Sequence, residues 1–97
     1  MKTRDEIEKT LREHKEELSS RFHVGKIGIF GSYVRQESTE RSDLDVLVEF
    51  TKPVGFFEFM DLEEYIEGLV GIKIDLVSVK GLKPYIGKQI LNEVIYV

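Results

Sequence analysis

Ninety-seven residues with a formal net charge of −4 suit one compact domain and leave little room for a second, so residues 1–97 read as a single domain. With 41% hydrophobic and 33% charged residues, the chain has the balance of a globular protein and not of a disordered one. The lack of cysteine excludes disulfides, thiolate zinc sites and cysteine nucleophiles. Acidic residues are spread along the chain and no Lys/Arg block occurs, which argues against nucleic acid as a direct partner. No apolar run approaches the roughly 20 residues that span a bilayer, so no membrane role is expected. The N-terminus, MKTRDEIEKT, is charged where a secretory signal would be apolar, and a cytoplasmic location is expected.

Thr3 followed by Glu6 has the form of a capping box. Ile7, Leu11, His14, Leu18 and Phe22 then recur at helical spacing, which predicts one helix over residues 4–22. His14 lies on that apolar stripe and is expected to pack there; His23 has no partner at metal-ligand spacing. Residues 26–30, KIGIF, form a short strand ended by Gly31, and SYVRQE opens a brief helix before the polar run QESTERS. Residues 44–50, LDVLVEF, are nearly continuous in apolar character, as in a central strand covered on both faces. TKPVG is a loop by its Pro and Gly.

Residues 56–70 are helical, with Phe56, Phe59, Met60, Ile66, Leu69 and Val70 as the buried stripe and Gly71 as the stop. Phe56, Phe57, Phe59 and Tyr65 read mainly as core, although Phe57 and Tyr65 fall off the stripe and are candidates for a partner-binding patch. KIDLVSV, residues 73–79, is a third strand. Pro84 opens a last helix carrying Ile86, Ile90 and Leu91, and VIYV either extends it or adds an edge strand. Tyr85, Tyr96, Lys80, Lys83 and Lys88 are assigned to packing and solubility alone. The expected architecture is α/β (α+β), a mixed β-sheet flanked by helices.

Between the first two strands lies GSYVRQESTERSDLD, and its acids set the chemistry. Asp43 and Asp45 stand two apart at the start of a strand, so both side chains point to one face, with Cα atoms about 6.6 Å apart. A carboxylate in an apolar strand is costly to desolvate, and a second beside it adds repulsion. A divalent cation relieves both, and Mg²⁺ suits oxygen ligands that leave positions open for waters and phosphate oxygens. Asp75, in Ile74-Asp75-Leu76, is another lone carboxylate among apolar residues. The helix over 56–70 is long enough to cross between parallel strands, which would bring Asp75 beside Asp45. Asp43, Asp45 and Asp75 are therefore the candidate catalytic and metal-holding residues, with Asp75 at the second metal position and orienting an attacking hydroxyl.

Gly31 and Ser32 follow a strand and open a short helix, where free N–H groups and the helix dipole favour an anion. Glycine lets the backbone approach a phosphate closely. The Ser32 hydroxyl can donate to a phosphate oxygen, and Arg35, one turn on, offers a charged fork to a triphosphate. These groups meet the acids only if the strand ending at Phe30 runs antiparallel to the one beginning near Asp45. Gly31, Ser32 and Arg35 are thus the candidate nucleotide-binding residues. The implied chemistry is nucleotidyl transfer: attack of an acceptor hydroxyl on the α-phosphorus of a metal-bound NTP. No GxxxxGK[ST] or GxGxxG sequence occurs, and neither histidine is placed with a serine and an acid.

Gly31-Ser32, Arg35 and Ser42-Asp43-Leu44-Asp45, with Asp75 in KIDLVS, resemble the core motif of the DNA polymerase β-like nucleotidyltransferase superfamily. The whole chain is similar to the minimal nucleotidyltransferases, or MNT-domain antitoxins. That resemblance implies Mg²⁺ as cofactor, ATP as substrate, and Asp43, Asp45 and Asp75 as the catalytic acids. It also implies a HEPN-type ribonuclease toxin as partner in a hetero-oligomer, neutralised by transfer of AMP to one of its tyrosines. Two alternatives stand beside it: a non-catalytic antitoxin that masks its partner by contact, and a nucleotidyltransferase for a small-molecule hydroxyl. The second is weakened by the lack of an acceptor-binding domain.

Overall fold

The computed structural model describes residues 3–39 and 41–97. Two helices, α1 (Arg4–Glu13) and α2 (Lys15–Phe22), stand where one was expected. The capping box forms: the Glu6 N–H donates to Thr3 Oγ1 at 3.2 Å, and Glu6 Oε1 accepts from the Thr3 N–H. The break falls at His14, whose backbone leaves helical geometry at φ −109°, ψ 12°. In a continuous helix the Thr10 carbonyl would accept the His14 N–H. The imidazole Nδ1 takes that carbonyl instead, at 2.8 Å, and the His14 N–H tightens onto the Leu11 carbonyl at 3.2 Å. Facing a carbonyl, Nδ1 carries the proton. The stripe nevertheless stays in phase across the break, and Ile7, Leu11, Leu18 and Phe22 are all buried.

Among the described residues, β1 (Val24–Phe30), β2 (Leu44–Phe50), β3 (Ile74–Ser78) and β4 (Ile95–Tyr96) form one sheet in the order β3-β2-β1-β4. β1 and β2 pair antiparallel, β2 and β3 pair parallel, and β4 lies antiparallel along β1. The sheet is mixed, as expected. The crossover between the parallel strands is α3 (Phe56–Val70), closed by Gly71 in the left-handed conformation at φ 73°. β1 starts two residues ahead of KIGIF and carries a bulge between Val24 and Lys26. Pro84 opens α4 (Pro84–Glu93), and VIYV supplies the edge strand.

The period of two along β2 divides its residues. Leu44, Val46 and Val48 join the core with Ile7, Leu11, Leu18, Ile27, Ile29, Leu62, Ile66 and Val70. Asp45, Leu47 and Glu49 leave the opposite face. Leu47 is also fully buried, so the middle of this strand is covered on both sides.

The stripe of α3 differs from expectation. Leu62, Ile66 and Val70 are its buried residues, with Phe59 and Leu69 packed against them. Phe56 and Met60 are exposed, and so is Phe57; the two phenylalanines are 71% and 79% exposed. At about 100° per residue, Met60 and Phe57 rotate well away from the line through Val70, Ile66, Leu62 and Phe59. Phe56 falls in the first turn, at the edge of the covered face. Tyr65 is half-buried and engaged within the chain. Its ring packs on Phe22 with centroids 4.9 Å apart, and its hydroxyl donates to Glu17 Oε2 at 2.8 Å, tying α3 to α2. On α4 the expected apolar residues Ile86 and Leu91 are exposed, and the buried residue is Gly87. No helix among the described residues is long and apolar enough to cross a membrane.

Candidate active site

Parallel pairing of β2 with β3 sets Asp45 opposite Asp75, flanked by Leu44 opposite Ile74 and Val46 opposite Leu76. Residues in register on neighbouring strands point to the same face, so the two carboxylates leave the sheet side by side. On the other flank of β2, the antiparallel register places Phe30, the last residue of β1, opposite Asp45. The turn that begins at Gly31 is therefore delivered to the same end of the sheet as the acids. Asp43 lies just ahead of β2 and is exposed; Asp75 is exposed as well, whereas Asp45 is half-buried.

Gly31 has φ 78°, in the left-handed region that other residues enter at a cost. A Cβ built on it would run into the Asp45 carboxylate. Glycine here admits the close approach of a carboxylate, a role beyond the close approach to phosphate inferred from its type. The helix expected after it is a single 3₁₀ turn, Gly31–Tyr33, too short to align a useful dipole. Positive charge next to this turn comes from Arg35, two residues beyond it, and a half-buried Ser32 sits between Gly31 and Arg35 in the chain.

Arg35 does not stand free. Its Nε donates to Glu37 Oε1 at 2.7 Å and its Nη1 to Glu93 Oε1 at 2.6 Å. The other oxygen of Glu93, Oε2, accepts the Gly31 N–H at 3.1 Å. Glu93, the last residue of α4, is the site residue that sequence reasoning missed. No spacing rule reaches it, because it lies 58 residues from Arg35 and 62 from Gly31 in the chain. The one available signal was its place just ahead of a strand that borders β1.

Burial pushes the Asp45 carboxyl above its ordinary value, and the neighbouring charge of Asp75 pushes it further. Asp43 and Glu93 act in the same direction, and Arg35 opposes them. Four carboxylates and one guanidinium thus share an electrostatic neighbourhood. A carboxyl raised on folding favours the protonated form, so the ionised Asp45 weakens the fold as pH rises through its folded value. As they stand, among the described residues, no three His, Cys, Asp or Glu side chains are gathered into a ready cage for a metal ion. The acids also stand open. A cleft of about 590 Å³, lined by Arg21, Phe22, Glu58, Asp61, Glu64 and Tyr65, includes none of them.

This architecture is that of the nucleotidyltransferases, and the chain belongs to that family: the model for the nucleotidyltransferase domain matches residues 11–97. Within it the chain is a minimal nucleotidyltransferase, as its resemblance implied. It is 50% identical over 97 residues to the protein adenylyltransferase MntA of Thermococcus cleftensis, covering 100% of this chain and 98% of that one. A solved structure assigned to a minimal nucleotidyltransferase is 38% identical and superposes with a TM-score of 0.74, over 90% of this chain and 92% of that one. The fold is also shared, with a TM-score of 0.70 at 20% identity, with a toxin–antitoxin crystal structure with AMP-PNP, over 95% of this chain and 69% of that one.

Proposed function

We propose that this chain is a Mg²⁺-dependent protein adenylyltransferase acting as an antitoxin, which moves AMP from ATP to a tyrosine hydroxyl of a HEPN-type toxin in the cytoplasm. One observation carries the reading: the in-register pair Asp45 and Asp75, with the Gly31 turn delivered beside them by the Phe30–Asp45 pairing. A protein acceptor is supported by the name of the Thermococcus relative. The toxin as that acceptor, and the tyrosine on it, follow from the motif resemblance.

In this reading Ser32 and Arg35 bind the β- and γ-phosphates, the serine through its hydroxyl and the arginine through its charged fork. Asp43, Asp45 and Asp75 would hold Mg²⁺. The donor set fits that ion: hard carboxylate oxygens, and an Asp45 carboxyl raised first by burial and then by the neighbouring negative charge of Asp75, which a cation would offset. When bound, Mg²⁺ supplies charge compensation for the phosphates and for the departing diphosphate. Asp75, exposed at the edge of the pair, orients the tyrosine hydroxyl and takes up its proton as the oxygen attacks the α-phosphorus. The new O–P bond forms, the bond from that phosphorus to the bridging oxygen of the β-phosphate breaks, and diphosphate leaves. The open setting of the acids means that the acceptor protein itself must exclude water and complete the site.

The test is labelling of the co-expressed toxin. Label from α-labelled ATP, and not from γ-labelled ATP, should appear on it, and Asp43→Ala or Asp45→Ala should remove the label while circular dichroism stays native. Labelling that survives both substitutions would reject the assignment. A second reading, neutralisation by contact alone, draws on the exposed Phe56, Phe57 and Met60 at the start of α3. It is separated by the toxin's own activity: Asp45→Ala should still neutralise under contact alone, and Phe57→Asp should not.

A further inference from the structure

The Glu93 carboxylate bridges two donors from the Gly31 turn. One oxygen receives the Gly31 N–H at 3.1 Å and the other receives Arg35 Nη1 at 2.6 Å. A backbone N–H and a guanidinium that converge on two oxygens of one anion make an anion seat. A carboxylate has the charge and the oxygens to occupy that seat in the way a phosphate does. We propose that Glu93 is an internal phosphate mimic, holding the nucleotide seat closed until ATP displaces it, and so setting the affinity for nucleotide.

This inference rests on the reading of Gly31 and Arg35 as nucleotide-binding residues. One further observation bears on it: the backbone that follows Glu93 is tied into the sheet. Residues Ile95 and Tyr96 pair with Ile29 and Gly28, and the Val97 N–H donates to the Ile27 carbonyl at 2.9 Å. Displacement must therefore occur by rotation of the side chain, whose attachment stays beside the seat. A carboxylate on so short a tether competes at high effective concentration, and it lowers the apparent affinity by the fraction of molecules in which the seat is filled.

Calorimetric titration with AMP-PNP in the presence of Mg²⁺ tests this on the full chain. Glu93→Ala should bind roughly five- to tenfold more tightly than the native protein, and Glu93→Gln, which keeps the acceptor oxygen but loses the charge, should fall between them. Glu49→Gln removes one negative charge from the Asp45 face of β2 without touching Gly31 or Arg35, and its affinity should stay near the native value. In an Arg35→Ala background the gain from Glu93→Ala should shrink, because half of the contact is already gone. Unchanged or weaker binding in both Glu93 variants would overturn the proposal and make Glu93 a support for Arg35. An equal gain in Glu49→Gln would overturn it as a general charge effect. Should Glu93→Ala fail to fold, the near-isosteric Gln variant decides by the same criteria. If native protein and variants alike bind no AMP-PNP, the nucleotide-site reading falls and this inference with it; binding by all of them with equal affinity removes the inference alone.

Discussion

Gly31→Ala is the substitution whose effect can be worked most directly from the geometry. At φ 78° an alanine enters the left-handed region, which costs about 1–2 kcal/mol. Its Cβ would also overlap the Asp45 carboxylate, so Asp45 must leave its rotamer at a further cost of about 0.5–1.5 kcal/mol. The sum is about 1.5–3.5 kcal/mol, or a fall in melting temperature of about 6–28 °C for a domain of this size. The two parts separate in an Asp45→Ala background, where the overlap has no partner and only the backbone part of about 1–2 kcal/mol should remain. Urea denaturation of the four proteins gives both numbers and their difference. Equal losses from Gly31→Ala in the two backgrounds would refute the claim that the turn and the carboxylate are sterically coupled.

Leu62→Ala, at the fully buried centre of the α3 stripe, should cost about 2–5 kcal/mol in urea unfolding, whereas Met60→Ala on the exposed side should stay within about 0.5 kcal/mol. Asp45→Asn should raise the urea midpoint at neutral pH while removing label transfer, because it abolishes an ionised group whose carboxyl burial and Asp75 push upward. Tyr65→Phe should destabilise the fold in a pH-dependent way. Glu17 is held below the ordinary carboxylate range first by the Tyr65 hydroxyl and then by Arg21, so its contribution is present above that range and is lost as pH falls through the lowered value. Tyr65 itself is pushed up by burial and by Glu17, so its contribution disappears again as pH rises through the phenol range. The difference in urea midpoint between native protein and Tyr65→Phe should therefore form a plateau near neutrality that shrinks at both ends.

What could be read from the sequence was what local rules control. LDVLVEF announces a central strand by its apolar run, Gly71 and Pro84 mark helix ends through backbone chemistry, and a helix of suitable length between two strands implies a parallel crossover. That crossover is what brings Asp45 and Asp75 together, so their adjacency was legible from α3 without knowledge of the fold. The errors have equally definite causes. The break at His14 depends on a side chain capturing a carbonyl, which apolar periodicity does not register. On α3, the bulk of Phe56 and Met60 drew the stripe away from Leu62, although size says nothing of which way a helix faces. Glu93 reaches the Gly31 turn only through the sheet, because β4 pairs with β1 and carries the end of α4 there.

A single strand carries both core residues and the candidate acid Asp45. Leu44, Val46 and Val48 are fully buried among the helices, each contributing about 1.5–3 kcal/mol by burial, while Asp45 leaves the same strand from its other face. β2 is also hydrogen-bonded on both sides, to β1 and β3. Asp45, whose carboxyl burial and Asp75 push upward, is thus fixed on a strand anchored on both sides. Backbone movement cannot separate it from Asp75, because any slip by one residue would carry the buried face of the strand out of the core. Relief must come from a change at the side chains themselves: protonation, a bound cation, or removal of the neighbouring Glu93 charge. Of these, protonation or a cation acts on the Asp45 carboxylate itself, whereas loss of the Glu93 charge acts on it from a neighbouring element.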